Sequence, residues 1–370
     1  MQAKKIIFLV MSFLIVVGGL IWMFGGDSPS SSKPIVLNII GKTGASAGFF
    51  EDARLEFMKQ NKNVEINYIG KGTFEAVEYI VDDNDVDGWI CADETGADIL
   101  KKDYEKAHPG EQIVSEISPI VTTPLVLVGW EERLNRLSNL DISKLYDMVS
   151  KGKSWGELGG ESSWGFFNFS HTDAVDSNSG MQLITLLIHD YYSKAGNPKR
   201  DLSVQDVANG DVLNYIKAFE KNTARQADGS GKFMDMMVQF GPSKYDVGAI
   251  YEYYALSNIK NANGRWGKLK VIYPSPTIWS SRPFIIFKGK NITAEKTEAL
   301  KKFRDLLLSE EMQKKAMLEG YRPANTSVSD LSYLEKEFSE YGFKKDVSYA
   351  VSSPTYEVID SIRNLAQKVK

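Results

Sequence analysis

Residues 35–70 read IVLNIIGKTGASAGFFEDARLEFMKQNKNVEINYIG. The first six are almost wholly apolar, as a strand buried on both faces requires. A polar, glycine-containing turn follows, after which Phe49, Phe50, Ala53, Leu55, Phe57 and Met58 recur with a helical rhythm, and Val64–Gly70 alternates like a strand. Strand, helix, strand is the repeating unit of a parallel α/β sheet. The unit continues at once: Lys71, Gly72 and Thr73 form a turn, FEAVEYIV at 74–81 a helix and VDGWICA at 86–92 a strand, before a third polar turn at Asp93–Thr95.

At 370 residues, 43% hydrophobic and 25% charged, the chain is long enough for two globular lobes. ISPIVTTPLVLVGW at 117–130 is long and apolar but carries Pro119 and Pro124, which suits a segment crossing between lobes better than a central strand. PFIIF at 283–287 reads as a second crossover. Between them lie several helices, the run DVGAIYEYYAL at 246–256, whose strand closes at Tyr251 and Glu252, and the strand KLKVIYP at 268–274. Beyond them, Leu300, Phe303, Leu306, Leu307 and Met312 mark one side of a helix pair between Thr293 and Gly320. The expected division is 35–123 for the first part of lobe one, 124–282 for lobe two, and 283–370 for the return to lobe one with a C-terminal helix.

Ahead of the lobes, Lys4 and Lys5 precede an apolar run from Ile6 to Phe24 broken only by Ser12. At ~1.5 Å per residue its length approaches the roughly 30 Å of a bilayer core. It is longer than the apolar part of a signal peptide and no small-x-small site follows Trp22, so an uncleaved transmembrane anchor over 1–24 is favoured over a cleaved signal. The positive-inside rule then leaves the lysines in the cytoplasm and the folded part outside. Residues 25–34, GGDSPSSSKP, have the composition of a flexible tether. A net charge of −4 gives no basic footprint, which argues against nucleic acid as a partner. Cys91 is the only cysteine, so there is no intrachain disulfide and no cysteine zinc cluster, and its apolar flanks make it a buried thiol.

Candidate chemistry sits in the turns. NFSHTDAVDSNSGMQLITLLIHDYY at 168–192 is a polar loop that becomes a helix near Asn178 or Ser179. Hydroxyls and free N–H groups aimed along a helix axis make a ready anion site. The turns around Gly44, Ala45 and Ser46, around Gly72 and Thr73, and around Glu94 and Thr95 have the same layout, as do Ser177, Asn178, Ser179 and Gly180. Their convergence predicts a small ligand, with an oxyanion favoured, held by dipoles and hydroxyls with Lys71 as the nearby cation. His171 is read as a hydrogen-bond donor to that ligand, since His171, Asp173 and Asp176 on one loop lack the ordered outer shell of a metal site. No metal and no cofactor are expected.

Two motifs compete with this reading. Gly44–Gly48 matches the G-x-S-x-G nucleophile elbow between strand and helix, which would make the protein a serine hydrolase using Ser46 with His108, His171 or His189 as base. Against it, the motif follows the first strand, so no upstream segment supplies the second oxyanion donor. Asp83, Asp85, Asp87, Gly88 and Glu94 fit the spacing of a calcium loop, but an extended strand across 86–92 would hold its ends ~20 Å apart, and the strand is preferred.

The runs IYPSPTIWSSRPFIIF at 272–287, LLLSEEMQKKAMLEGYRPANTSV at 306–328 and SHTDAVDSNSG at 170–180 resemble signatures of extracytoplasmic solute-binding proteins of the sulfate, molybdate and phosphate group. They most resemble the solute-binding modules found with von Willebrand factor A domains. Where that family carries glycines near Tyr273, this chain has Ser275 and Pro276. The resemblance, over roughly residues 35 to 365, implies a two-lobed periplasmic-binding-protein-like fold of type II with two crossover segments and the solute in the cleft. It places Tyr251 and Glu252 on that cleft, and implies a membrane transporter or a von Willebrand factor A domain protein as partner. A ligand-free cell-surface scaffold with the same fold is the remaining alternative.

Overall fold

The computed structural model describes residues 33–41, 48–82, 85–224, 227, 229–347 and 349–369. The apolar run at 6–24, residues 25–32 of its tether and the turn at Gly44, Ala45 and Ser46 lie outside them. Among the described residues no helix is long and apolar enough to cross a membrane.

The parallel units form as the periodicity requires. β1 (Ile35–Gly41) pairs in parallel with β2 (Val64–Gly70), Ile35 opposite Val64 and Gly41 opposite Gly70, and on its other edge with β3 (Gly88–Ile90). α1 (Phe49–Gln60) makes the first crossover and buries Phe49, Phe50, Ala53 and Phe57. α2 (Thr73–Val81) makes the second, burying Phe74, Ala76, Val77 and Ile80. α3 (Glu94–Ala107) follows β3. The strand at β3 is shorter than the expected 86–92, although the Asp87 N–H still donates to the Asn38 carbonyl at 2.8 Å and the Cys91 N–H to that of Pro283 at 3.0 Å; beside it the Asp87 carboxylate accepts the Asn38 N–H at 2.7 Å and pairs with Lys296 at 2.8 Å. The extended backbone at Gly88–Ile90 and the helix start at Glu94 replace the curl of a calcium loop, whose first positions, Asp83 and Asn84, are outside the described residues.

β4 (Val114–Pro119) lies in this first sheet and β5 (Val121–Trp130) in a second one, so the chain changes lobe at Ile120, between Pro119 and Pro124. Proline is tolerated here because Pro119 ends β4 and Pro124 stands where β5 passes from the strands at Arg322–Pro323 and Thr277–Ser280 to those at Val247–Tyr251 and Leu269–Ile272. The second sheet has the order β12-β9-β5-β7-β6, with β8 and β11 also on β5. Its members are β6 (Phe169–His171), β7 (Val247–Tyr251), β8 (Leu269–Ile272), β9 (Thr277–Ser280), β11 (Arg322–Pro323) and β12 (Ala350–Val351). The chain returns at Ser281 and Arg282 into β10 (Pro283–Phe287), which runs antiparallel between β3 and β4. PFIIF is therefore a strand of the first sheet, and the crossover is the pair of residues before it. The two crossovers touch, the Ile120 N–H donating to the Arg282 carbonyl at 3.4 Å.

Around the second sheet lie α4 (Ile142–Ser150), α5 (Asn178–Lys194), α6 (Gly210–Glu220), α7 (Ser230–Phe240) and α8 (Glu252–Ile259). Glu252 opens α8 and does not end a strand, since the backbone turns helical right after Tyr251. α9 (Ala294–Leu307) and α10 (Glu310–Leu318) cover the first sheet through Leu300, Phe303, Leu307 and Met312. From β11 onward the chain pairs with the second sheet, through α11 (Ser332–Phe338) and β12 to α12 (Tyr356–Val369). One apolar cluster runs through both lobes, joining Phe74, Trp89 and Leu100 to Leu125, Leu183, Leu187 and Ile362. Cys91 is a buried thiol within it.

Candidate functional site

Three helices begin at one place between the two sheets. α2 starts from Gly72, α5 from Ser177 and α7 from Gly229, and none of these N-caps gives a side-chain hydrogen bond to its helix. At α2 the Gly72 N–H is met by the Glu75 carboxylate at 3.4 Å, whereas α5 and α7 begin without a side-chain cap; the amide N–H groups left free at such starts carry partial positive charge, equivalent to roughly half a unit charge. Between them is a cavity of about 90 Å³ lined by Gly72, Thr73, Ser177, Asn178, Gly229 and Ser230. A water molecule needs only ~10–15 Å³ of such space, so the cavity suits a compact solute of several heavy atoms. Asp176, Ile90 and Ala92 complete the rim, with Trp89 and Tyr251 on the wall.

A buried cation also reaches this wall. Arg282 is 4% exposed and lines the cavity, coming from the crossover between β9 and β10. Its guanidinium is packed among the rings of Phe50, Tyr253 and Tyr321 at 5.4, 5.3 and 5.8 Å, and one nitrogen donates to the Tyr253 hydroxyl at 2.9 Å. Arg282 Nε has no partner, and no carboxylate among the described residues forms an ion pair with the group. An arginine stays protonated in proteins. A full positive charge is therefore held at the cavity with a donor unspent, which burial makes costly unless an anion meets it. Lys71 also lines the cavity, but its ammonium is already paired with Glu75 at 2.7 Å.

The opposite lobe answers with an amide. Asn178 Nδ2 donates to the Asp93 carboxylate and, at 2.7 Å, to the Tyr251 hydroxyl, which leaves Asn178 Oδ1 buried without a partner. Gln182, one turn further along α5, donates to the same Asp93 oxygen at 3.0 Å and to Ser280 Oγ at 2.8 Å. Asp93 is the N-cap of α3, so this cluster ties the first lobe to the start of α5. Burial pushes the Asp93 carboxyl above its ordinary value, while the amides of Asn178, Gly96 and Gln182 pull it back.

The residues expected from sequence divide into three groups. Gly72, Thr73, Ser177, Asn178 and Tyr251 come together on the cavity, and Gly44, Ala45 and Ser46 lie outside the described residues. Glu94, Thr95, His171, Ser179, Gly180 and Glu252 are not among its lining residues. Ser179 stands one bond behind it, in contact with Thr172 Oγ1 at 2.8 Å and Ser230 Oγ at 2.7 Å. The Gly180 backbone is packed against the Thr172 carbonyl, Thr95 is buried within α3, and Glu94 is exposed. His171 is fully buried, its ring nitrogens 2.7 Å from the Thr172 carbonyl and 3.0 Å from Glu220. Burial alone would lower its imidazole, but the Glu220 carboxylate holds it above the ordinary value. Glu252 is consumed by Arg322, at 2.7 and 2.8 Å, and by the Tyr273 hydroxyl, which locks β11 to the end of β7. The other histidines are engaged too, His108 with the Val81 carbonyl and His189 with that of Lys199.

Arg282, Asp93, Gln182 and Ser230 were not singled out from the sequence. Only Arg282 leaves a local signal, a lone cation in the apolar context SSRPFIIF; the partners of the others at this site are 51 to 98 positions away.

A family model described as bacterial extracellular solute-binding protein matches residues 41–322. Among solved structures, a periplasmic thiamin-binding protein aligns with a TM-score of 0.62 at 13% identity, over 91% of this chain and 96% of its own. An iron-bound HitA from Pseudomonas aeruginosa aligns at 0.60 and 12% identity, over 91% and 99%. A sulfate-binding protein from Mycobacterium tuberculosis H37Rv aligns at 0.57 and 12% identity, over 90% and 99%. At these identities the likeness is one of fold. A search of curated proteins by sequence finds no match.

Proposed function

The chain belongs to the bacterial extracellular solute-binding protein family, and from that premise we propose that it captures a small oxyanion between its lobes. Members of the family are binding proteins for transport. The solved relatives carry ligands as different as sulfate, thiamin and iron in their names, so ligand class has to come from site chemistry. The observation that carries the oxyanion is Arg282: a buried guanidinium with Nε unpaired, at a cavity where α2, α5 and α7 begin. Arg282 supplies charge, and the amides around Gly72, Asn178 and Ser230 supply donors, with Ser177 and Thr73 hydroxyls beside them.

The unpaired Asn178 Oδ1 favours a solute that also donates a hydrogen bond. A protonated oxyanion such as phosphate near neutral pH meets both needs, whereas sulfate leaves the amide oxygen unsatisfied. Outside the cavity, the apolar run at 6–24 supports an anchored protein with its lobes on the far side of the membrane, handing solute to a membrane transporter. A von Willebrand factor A domain partner rests on the sequence resemblance alone.

The test is calorimetric titration with phosphate, sulfate, molybdate, thiamin, spermidine and ferric citrate. Binding of an oxyanion, weakened roughly 10- to 100-fold in Arg282→Met, is expected, since a charge-assisted bond contributes about 1.5–3 kcal/mol. Phosphate should bind more tightly than sulfate. Binding of cationic or neutral solutes alone would overturn the anion reading. A fluorophosphonate probe should leave Ser46 unlabelled; labelling lost in Ser46→Ala would restore the hydrolase.

A further inference from the structure

α12 lies beyond the stretch that the family model matches, and it touches both lobes. It buries Val358, Ile359, Ile362, Leu365 and Ala366 and packs on α5, α6 and the short helix at Val204–Val207, all of the second lobe. From that seat it reaches the first lobe twice. The Tyr356 hydroxyl donates to Asp103 on α3 at 2.8 Å and is met by Lys106 of the same helix. Arg363 donates from Nε to the Val175 carbonyl at 3.3 Å and lies 3.9 Å over the Phe74 ring. Phe74 is the second residue of α2 and Val175 leads into Asp176 and Ser177. One guanidinium therefore joins the two rims of the cavity from behind without being among its lining residues.

We infer that α12 is a clasp across the lobes and that Arg363 is a positioning residue for solute capture, holding the start of α2 against the loop before α5. Separating the lobes at Ile120 and Arg282 must part α12 from α3 and lift Arg363 off Phe74. The clasp then slows solute escape by opposing opening. Its effect on affinity rests on the reading of the cavity as the solute site, whereas its effect on lobe geometry does not.

The experiment uses the full-length chain with spin labels on Lys59→Cys in α1 and Lys151→Cys after α4, both exposed and one in each lobe. The native thiol, Cys91, is buried and is spared by the label. Distances are measured by pulsed electron resonance without added solute. The parent should give one population, Arg363→Ala a second and longer one, and Arg363→Lys, which keeps a cation over Phe74, the parent pattern. An unchanged distribution in Arg363→Ala overturns the clasp. If that variant does not fold, Tyr356→Phe decides instead, with a smaller long-distance population expected and none overturning the inference. Where the parent binds phosphate or sulfate, dissociation from Arg363→Ala should be roughly tenfold faster with association nearly unchanged, the scale of one cation–ring contact; an unchanged dissociation rate counts against the clasp. A parent that binds neither anion removes the oxyanion reading while the label distances still judge α12.

Discussion

Glu319 shows how one carboxyl can set a pH dependence away from the cavity. It sits at the start of α1, where it accepts the Phe49 N–H, and Gly48 is held there at φ 86°. Glycine adopts that backbone without strain, and a Cβ would come within 2.6 Å of the Glu319 carboxylate. Burial pushes the Glu319 carboxyl up to about 7. The unfolded chain releases the same proton near ~4.3. Folded protein thus keeps a proton that unfolded protein gives up, and the stabilisation is complete below the unfolded value and is lost as pH rises through the folded one. Since the group is partly exposed, solvent screening reduces the effect, and ~1–2 kcal/mol of stability should disappear between pH 5 and pH 8. Glu319→Gln keeps an acceptor for Phe49 and should flatten this slope. Urea unfolding of both proteins at the two pH values is the check, and equal slopes would show that burial of Glu319 is not responsible.

Helix starts decide the site, and their glycines do different work. A Cβ on Gly180 would lie 2.1 Å from the Thr172 carbonyl and 2.9 Å from the Ala174 amide, both backbone, so Gly180→Ala must shift the first turn of α5. Overpacking of this kind costs about 1–3 kcal/mol, and solute binding should fall with it as Asn178 leaves the cavity. A Cβ on Gly72 meets only the Asp176 carbonyl at 3.8 Å, and Gly72 has φ −68°, which alanine adopts. Gly72→Ala should therefore melt within a degree or two of the parent while narrowing the cavity. Paired melting and titration separate the two roles, and a Gly180→Ala protein as stable as the parent would refute the packing argument. Much at this scale was legible. Val64–Gly70 alternated and is β2; Phe49, Phe50, Ala53 and Phe57 had helical spacing and are the buried face of α1. What periodicity does not carry is a change of partner: Pro119 and Pro124 marked the first crossover, but PFIIF reads equally as crossover or strand until β3 and β4 are seen on either side of it. Glu252 was misplaced for a related reason, because an apolar run crossing a strand end into a helix shows no break in composition.

Across the whole molecule, each sheet has a buried cluster of its own, around Leu37, Phe57 and Phe303 in the first lobe and around Trp130, Phe233 and Tyr245 in the second, but a third cluster runs through both. The cluster that holds Phe74 and Trp89 of the first lobe also holds Leu125, Leu187 and Phe219 of the second, and Ile362 of α12 belongs to it. Asp93 adds a polar tie through Asn178 and Gln182. Breaking one lobe alone would expose apolar surface on the other, at about 25 cal/mol per Å². Hence calorimetry of the protein should show one unfolding transition with the van't Hoff enthalpy close to the measured one, the signature of a single cooperative unit. A solute bound between the lobes then stabilises all of it. At ~100 times its dissociation constant it adds about 2.7 kcal/mol. For a body of this size 1 kcal/mol shifts the midpoint by only ~1–3 °C, so phosphate should raise a single peak by a few degrees and not split it. Two peaks, of which solute moves one, would mean that the lobes unfold independently and that the shared cluster does not couple them.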